Sequence, residues 1–541
     1  MARGNYFLRS CSVRTDSGAR ERTGVLHSTL SPMDPVTTPR TANRAAYHDA
    51  CATGVAGLDD ILYGGLTPHR LYLIEGVPGS GKTTLAMQYL LEGAKQGEPV
   101  LYVTLSETEE ELRAMAQSHG WPLDGVIIRE LVPPEESLQP AEQYTMFHPA
   151  EVELSETTRT ILADVERLKP ARLVFDSLSE LRLLAGDALR YRRQLLALKQ
   201  FFRGRRCTVL LLDDLTSAGR DLQVQSIAHG VMLLEQLTPE YGSDRRRLRI
   251  LKHRGRRFRG GYHDYLIGTG GLRVFPRLVA AEHRAGLEES KLASGFPAMD
   301  VLLGGGLERG TSTLIVGAAG TGKSSLAAQF VAANAARGER SAMFVFDESI
   351  HTLFSRMRGM GVDLGKPRDS GLLAIRQVDP AELTPGEFAH LIRHEVETNR
   401  VSVLVIDSLN GYLNAMPGER YLSIHLHELL MYLGEHAVAT LLIGAHQGII
   451  GTQMRTPVDA SYLADAVVML RYYEDRGEVR QAISVMKKRG GEHERTIREF
   501  SLGPGGIRVG EPLRDFRGVL TGVPELEPAG EERRRERDAV A

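Results

Sequence analysis

Short apolar runs alternate with longer amphipathic stretches along most of the chain. Runs such as 71–74 and 313–316 are almost wholly apolar, whereas 85–94 and 326–336 repeat apolar positions at helical spacing. Strands that are apolar on both faces are typical of a parallel sheet covered on each side by helices. The pattern therefore predicts an α/β fold with mainly parallel sheets and helices on both faces.

A whole set of features occurs twice in the same order. The segments 52–54 and 64–66 recur as 293–295 and 305–307, and the later landmarks of each copy follow at similar spacing. Such co-linearity indicates a duplicated domain of about 235 residues rather than a small solenoid repeat. A length of 541 residues agrees with this interpretation, because it exceeds what one hydrophobic core usually organises.

The duplication divides the chain into a first domain at 47–276, a linker at 277–291 and a second domain at 292–522. Segment 1–46 is rich in Arg, Ser, Thr and Pro and lacks hydrophobic periodicity, so we interpret it as a disordered extension. An organelle transit peptide would have a similar composition. The charged end, 523–541, is interpreted as a disordered tail.

Composition narrows the class of protein. A hydrophobic content of 42% is ordinary for a globular protein, and a net charge of -2 gives no overall attraction to nucleic acid or to a membrane surface. Cys11, Cys51 and Cys207 are scattered, which favours a reducing compartment and no structural metal. Since no apolar run approaches the roughly 20 residues needed to cross a bilayer, we expect a cytoplasmic protein without membrane contact.

Each copy contains the phosphate-binding motif G-x-x-x-x-G-K-[ST] between a strand and a helix. Glycines let backbone N–H groups turn inward, and the helix N-terminus adds partial positive charge. The lysine would reach the β and γ phosphates of ATP, and the hydroxyls of Thr83 and Ser324 would hold Mg²⁺. The residues predicted to contact nucleotide are Gly76, Gly79, Ser80, Gly81, Lys82, Thr83 and Thr84 in the first copy and Gly317, Gly320, Thr321, Gly322, Lys323, Ser324 and Ser325 in the second.

Carboxylates follow two further strands in each copy. Asp176 and Asp407 end apolar strands, and we predict that each orients Mg²⁺ through water. A strand-ending Asp is often only a turn residue, but its occurrence at matching places in both copies favours the metal-binding role. Glu107 in the first copy and the pair Asp347-Glu348 in the second follow another strand, where a carboxylate can deprotonate an attacking water or hydroxyl. A helix-capping acid remains the alternative there.

These motifs, with the Lys-x-Arg-Gly elements at 252–255 and 487–490, resemble the KaiC family of clock ATPases and autokinases. The resemblance extends from about Ala52 to about Pro524. It implies two tandem RecA-like P-loop domains in a double-ringed homohexamer, with ATP at the subunit interfaces and the acid pair as catalytic base. It also implies that Lys252, Arg254, Lys487 and Arg489 reach the nucleotide of the neighbouring subunit, where a cation stabilises charge at the γ phosphate.

The chain departs from the family pattern at several positions. The family usually has two adjacent glutamates in each copy, whereas the first copy has Ser106 before Glu107. That difference predicts slow hydrolysis in the first copy unless Glu107 substitutes. The family's adjacent Ser and Thr phosphosites align with Ser461 and Tyr462, so the resemblance implies phosphorylation at Ser461 and argues against a two-site cycle.

A further difference lies at the strand that precedes the usual γ-phosphate sensor of RecA-like proteins. The second copy has His446-Gln447 after this strand and the first has Asp213-Asp214, which predicts different duties for the two copies.

The leading function is a slow ATPase with serine autokinase activity in the second domain, serving signalling or timing. Its partners would be other copies of the chain and signalling proteins. A RecA/RadA-like DNA-dependent ATPase and a nucleotide-gated scaffold remain alternatives. The sequence does not favour nucleic acid, because no zinc or helix-hairpin-helix module accompanies the P-loops and the nearest candidate loop, 444–455, is only weakly basic.

Overall fold

The computed structural model describes residues 50–131, 149–215, 222–239, 242–282, 290–379, 381–414, 422–445, 462–521 and 525–526. The predicted N-terminal extension lies outside these residues, as does the predicted tail apart from 525–526. Ser461 and the pair His446-Gln447 also lie outside them. None of the helices in the described ranges combines the length and the apolar character that a membrane span requires.

The first copy begins with a short helix and continues as alternating strands and helices. Its strands are β1 (Leu71–Gly76), β2 (Val100–Thr104), β3 (Val126–Glu130), β4 (Arg172–Asp176), β5 (Thr208–Asp214), β6 (Gly230–Leu237), β7 (Arg245–His253), β8 (His263–Gly268) and β9 (Gly271–Phe275). Its α-helices are α1 (Leu58–Ile61), α2 (Lys82–Lys95), α3 (Glu109–Ser118), α4 (Pro149–Leu168), α5 (Leu178–Ala185), α6 (Ala188–Phe202) and α7 (Leu222–Ile227). A 3-10 turn follows at Ala280–Glu282.

Within the described ranges, the second copy repeats the order of the main-sheet strands and has four further short strands. Its strands are β10 (Lys291–Leu292), β11 (Leu307–Glu308), β12 (Ser312–Gly317), β13 (Ser341–Val345), β14 (Leu373–Gln377), β15 (Val403–Asp407), β16 (Ala439–Ala445), β17 (Ala466–Asp475), β18 (Glu478–Lys488), β19 (Arg498–Gly503), β20 (Gly506–Pro512), β21 (Phe516–Arg517) and β22 (Glu525–Leu526). Its α-helices are α8 (Pro297–Leu302), α9 (Lys323–Ala336), α10 (Ile350–Gly359), α11 (Gly365–Asp369), α12 (Pro385–Glu397), α13 (Leu409–Asn414) and α14 (Leu422–Glu435).

The two main sheets have the same topology. Within the described residues, the first has nine strands in the order β3-β2-β4-β5-β1-β6-β7-β8-β9, and the second has β14-β13-β15-β16-β12-β17-β18-β19-β20. Strands up to β6 and β17 pair in parallel, and the last three of each sheet are antiparallel. The predicted α/β class with two tandem RecA-like domains is confirmed. This order brings the carboxyl ends of β1, β2, β4 and β5 to one edge.

Both faces of each sheet are covered by apolar side chains. Along β1, Tyr72 and Ile74 pack into one cluster with α2 and α3, whereas Leu71 and Leu73 pack into another with α4, α5 and α6. Alternate residues of a strand point to opposite faces, so a strand that is buried on both faces must be apolar throughout. This is why the uninterrupted apolar runs predicted the sheets correctly.

The two domains touch through the antiparallel end of the first sheet. The Oδ2 atom of Asp264 on β8 accepts a hydrogen bond of 2.7 Å from the backbone N–H of Gly386, in the first turn of α12. The next residue, Tyr265, donates a 2.5 Å hydrogen bond to the carbonyl of Ser80 in the first glycine loop. Leu278 is buried in the core of the second domain. The end of the first sheet therefore contacts both a loop of its own domain and the neighbouring domain.

A buried histidine in this region predicts acid sensitivity of the first domain. His263 is 1% exposed; its Nδ1 lies 2.9 Å from the backbone N–H of Arg277, and its Nε2 lies 3.0 Å from the carbonyl of Arg259. These partners require a neutral ring, and burial lowers the pKa of His263 to about 4. The unfolded chain, with a histidine pKa of about 6.5, therefore binds more protons below that pH. The stabilisation is complete above about pH 6.5 and is lost as the pH falls toward 4.

The measurement uses Trp121, the one tryptophan of the sequence, which packs against the core of the first domain. Urea unfolding followed by its fluorescence should show a lower midpoint at about pH 5 than at about pH 7. His263→Gln keeps a donor and an acceptor without a titrating group, so its midpoint should fall less between these pH values. An equal fall in both proteins would contradict the role of His263.

Candidate nucleotide-binding sites

The first glycine loop connects the end of β1 to the start of α2. Gly81 has a φ of 86°, and a Cβ atom there would lie 2.4 Å from Cδ1 of Ile267, so only glycine fits. The Nζ atom of Lys82 lies 3.0 Å from the carbonyl oxygen of Gly76 and 3.1 Å from that of Val77, and it donates to both. The loop therefore curls around the lysine and directs its ammonium group toward the carboxyl edge of the sheet.

The second glycine loop repeats this arrangement between β12 and α9. Gly322 has a φ of 94°, and Lys323 Nζ donates a 2.7 Å hydrogen bond to the carbonyl of Ala318. Thr321 donates its hydroxyl to the same carbonyl at 2.8 Å. Burial lowers the pKa of Lys323, and within the described residues no carboxylate forms a salt bridge with it. An anionic ligand would supply the missing counter-charge.

A hydroxyl and a carboxylate meet beside the loop of the first copy. Thr83 donates its hydroxyl to Asp176 Oδ2 at 3.2 Å, and Tyr102 donates to the same oxygen at 2.6 Å. Burial raises the pKa of Asp176, and these hydrogen bonds oppose the rise. A Thr hydroxyl beside a strand-ending carboxylate is a donor set that suits Mg²⁺. The sequence did not single out Tyr102.

The second copy has the same pairing of Ser324 with Asp407. The Asp407 carboxylate is 7% exposed, and its Oδ2 has no hydrogen-bond partner among the described residues. Burial raises its pKa, while a hydrogen bond with Ser324 opposes that rise. Because a buried oxygen without a partner is rare, this atom fits a water-bridged contact to a cation.

The acids of the neighbouring strand differ between the copies. Glu107 follows β2, and its pKa is raised by partial burial first and by the charge of Asp176 second. In the second copy Ser408 donates its hydroxyl to the Asp347 carboxylate. Glu348 instead accepts a 2.6 Å salt bridge from Arg356 Nη2. The two adjacent acids of the second copy therefore have different surroundings, which their sequence did not indicate.

A carboxylate forms a salt bridge with the lysine of the first glycine loop. Asp214 Oδ1 lies 2.6 Å from Lys82 Nζ, and the lysine side chain is only 8% exposed. Asp214 ends β5 in register with Gly76, the last residue of β1. The sequence signal for this pair was the presence of two consecutive acids, Asp213 and Asp214, at the end of β5, which lies beside β1.

Comparison with known proteins identifies the repeated domain. A family model described as "ATPase: KaiC" matches residues 51–279 and again 292–514. The chain belongs to the KaiC family of ATPases. The circadian clock protein KaiC3 of Synechocystis sp. is 29% identical to it over 87% of this chain and 94% of the relative. The circadian clock oscillator protein KaiC of Parathermosynechococcus lividus is 28% identical over 87% of each. The resemblance inferred from the motifs is confirmed.

The cations of the two KaiC domains lie far from the glycine loop of their own domain. Lys252 Nζ donates to the carbonyl of Gln225 at 2.6 Å, and Arg254 donates to that of Ser226 at 2.8 Å. The residue between them, His253, pairs with Gly230, which pairs with Tyr72 at the amino end of β1. From there to the end of β1 is roughly 13 Å along the strand. These cations and the P-loop therefore lie at opposite edges of the sheet.

The second KaiC domain has the same arrangement. Lys487 donates to the carbonyl of Ala464 at 2.8 Å, and Arg489 donates to that of Tyr462 at 2.7 Å. Arg489 also forms a 3.2 Å salt bridge with Asp465. Neither domain brings its Lys-x-Arg element to its own candidate site.

Proposed function

We propose that both domains bind ATP with Mg²⁺ and hydrolyse it, as the membership in an ATPase family suggests. The observation that carries this proposal is the repeated placement of a P-loop lysine beside a hydroxyl–carboxylate pair, Thr83 with Asp176 and Ser324 with Asp407. When bound, Mg²⁺ neutralises charge on the phosphate oxygens. Lys82 and Lys323 hold the phosphates, and the backbone of each glycine loop orients them for in-line attack.

The residue that accepts the proton of the attacking water differs between the domains. In the first domain Ser106 stands where the second has Asp347, which leaves Glu107 as the available acid. Its raised pKa suits a general base, because a weakly acidic carboxyl group holds a proton more readily. In the second domain Arg356 holds Glu348, so Asp347, oriented by Ser408, is the proposed base.

The position of the Lys-x-Arg elements supports a ring. Lys252, Arg254, Lys487 and Arg489 lie at the edge of the sheet away from their own P-loops, which supports a role at the nucleotide of another subunit. We therefore propose a homohexamer in which ATP binds between subunits and assembly is required for activity. The relatives are named circadian clock proteins, and on that ground we propose a cytoplasmic signalling or timing role with signalling proteins as partners.

We further propose that Ser461 accepts a phosphoryl group from ATP bound to the second domain. In that reaction the serine hydroxyl replaces water as the attacking group, Asp347 takes its proton and ADP leaves. Tyr462 stands where the family has its second phosphosite, so a single modified serine is expected.

A nucleotide-gated scaffold is the second candidate. The scaffold is favoured by Ser106 at the first acid position and by the salt bridge between Asp214 and Lys82. In a scaffold, Lys82→Ala would disturb assembly without lowering measurable turnover.

One experiment tests these proposals together. Purified protein with Mg²⁺ and γ-labelled ATP is followed for phosphate release and for labelling of the chain. We expect slow release and labelling, with labelling lost in Ser461→Ala and in Lys323→Ala. Release without any labelling would contradict the autokinase. Absence of both would leave the scaffold, which nucleotide-dependent assembly would then test.

A further inference from the structure

The ion pair between Lys82 and Asp214 belongs to a network that holds Asp214 in place. The backbone N–H of Asp214 donates to the Ser179 hydroxyl at 3.1 Å. The neighbouring Asp213 takes no part in this pair and instead forms a 2.7 Å salt bridge with Arg182. Because Lys82 also donates to two loop carbonyls, its ammonium group already has a full set of acceptors.

The second domain lacks this ion pair at the equivalent place. Ala445 occupies the register position of Asp214, opposite Gly317 at the end of the P-loop strand. The alignment of Asp213-Asp214 with His446-Gln447 in the sequence was therefore wrong by two residues. Asn410 stands where the first domain has Ser179. Its Oδ1 accepts a 2.9 Å hydrogen bond from the backbone N–H of Ala445, and its Nδ2 donates a 3.1 Å hydrogen bond to the carbonyl of Ala445. The P-loop lysine of the second domain is therefore left with a carbonyl acceptor and no carboxylate among the described residues.

We propose that Asp214 is an internal competitor for the phosphates of ATP and sets a lower nucleotide affinity in the first domain than in the second. This inference rests on the proposed binding of ATP at both loops. A phosphate group can use the charge of Lys82 only after the 2.6 Å ion pair has separated. The Lys82 side chain is 8% exposed and that of Asp214 is 28% exposed, so the pair is stronger than a fully exposed one. The free energy needed to separate the ion pair makes ATP binding to the first domain correspondingly less favourable.

The released carboxylate would add a second unfavourable effect. Asp214 lies close enough to Asp176 and Glu107 for its charge to raise the pKa of both. With Asp214 free, three carboxylates would surround the incoming phosphates, and like charges repel one another in a partly buried site. Mg²⁺ and Lys82 must then offset more negative charge than their counterparts in the second domain. The second site should consequently fill at lower ATP concentration than the first.

The test is a titration of the full-length chain with a fluorescent ATP analogue and Mg²⁺ in a Lys323→Ala background, which leaves the first site to be measured. Asp214→Asn removes the charge at nearly constant shape and should tighten binding by about tenfold or more. Asp213→Asn is the matched control, because its side chain contacts Arg182 rather than Lys82, and its affinity should stay close to that of the parent. Unfolding followed by Trp121 fluorescence establishes that each variant is folded.

Two results would overturn the proposal in different ways. Unchanged or weaker binding in Asp214→Asn, with normal binding in the parent, would show that Asp214 does not compete with phosphate and would leave ATP binding intact. Absence of binding in every Lys323→Ala protein, while Lys82→Ala still binds, would remove nucleotide binding from the first domain and the competition with it.

Discussion

Glu107→Gln is expected to slow ATP hydrolysis in the first domain by roughly 100-fold or more, which is the usual loss when a general base is removed. Glutamine keeps the size of the side chain but cannot take a proton. The site should still bind ATP, since Lys82, Thr83 and Asp176 remain. Phosphate release in a Lys323→Ala background measures the effect, and a fluorescent nucleotide measures binding.

Glu109→Gln provides the control for this variant. Glu109 begins α3 two residues away and forms an exposed 2.6 Å salt bridge with Arg113, so it is close in sequence and takes no part in the proposed chemistry. Its loss should leave the hydrolysis rate nearly unchanged. If Glu107→Gln were as active as Glu109→Gln, the first domain would require another base.

Arg172→Leu is expected to lower the free energy of unfolding of the first domain by about 3 kcal/mol or more. The guanidinium is 1% exposed, pairs with Glu98 and donates to the carbonyls of Ala52 at 2.7 Å and Tyr89 at 2.9 Å. Leucine would leave these carbonyl oxygens without their donor in the interior, which is the costly part of such a change. Urea unfolding followed by Trp121 fluorescence measures the difference.

Arg113→Leu gives the comparison, because its salt bridge is exposed on a helix surface and contributes less than about 1 kcal/mol. A similar small loss in Arg172→Leu would mean that the buried guanidinium is replaceable by a shorter apolar side chain, as has been found for some buried ion pairs with apolar replacements.

The fold and the phosphate-binding loops could be predicted because their signals are local. A buried parallel strand must be apolar along its whole length, and the glycines of a P-loop are required by the conformation of a few consecutive residues. The duplication strengthened both predictions, since each motif appeared twice in register. Asp176 and Asp407 could be singled out for the same reason, although their metal-binding role stays a prediction.

The partners of these residues could not be predicted in the same way. Arg356 reaches Glu348 from the next helix, and Asp214 reaches Lys82 from a strand more than one hundred positions later. Such pairs depend on strand order and on side-chain direction, which the apolar pattern of a single sequence does not specify. The sequence did indicate that the copies differ at Ser106 and at the end of β5, and the structure locates that difference in the charges around the lysine.

The contacts of β8 bear on how this protein can be divided for study. A fragment that starts at Lys291 would lack Leu278 and would leave the Gly386 amide without its Asp264 acceptor. The surface that Leu278 and Asp264 cover in the intact chain would be exposed in this fragment, and an exposed apolar patch favours self-association. A fragment ending near Pro276 would keep the Tyr265 bond to Ser80 but would expose the other side of β8 to water. Separate halves would therefore be poor substitutes for the intact chain in enzymology, and point variants that silence one site at a time are the better tool.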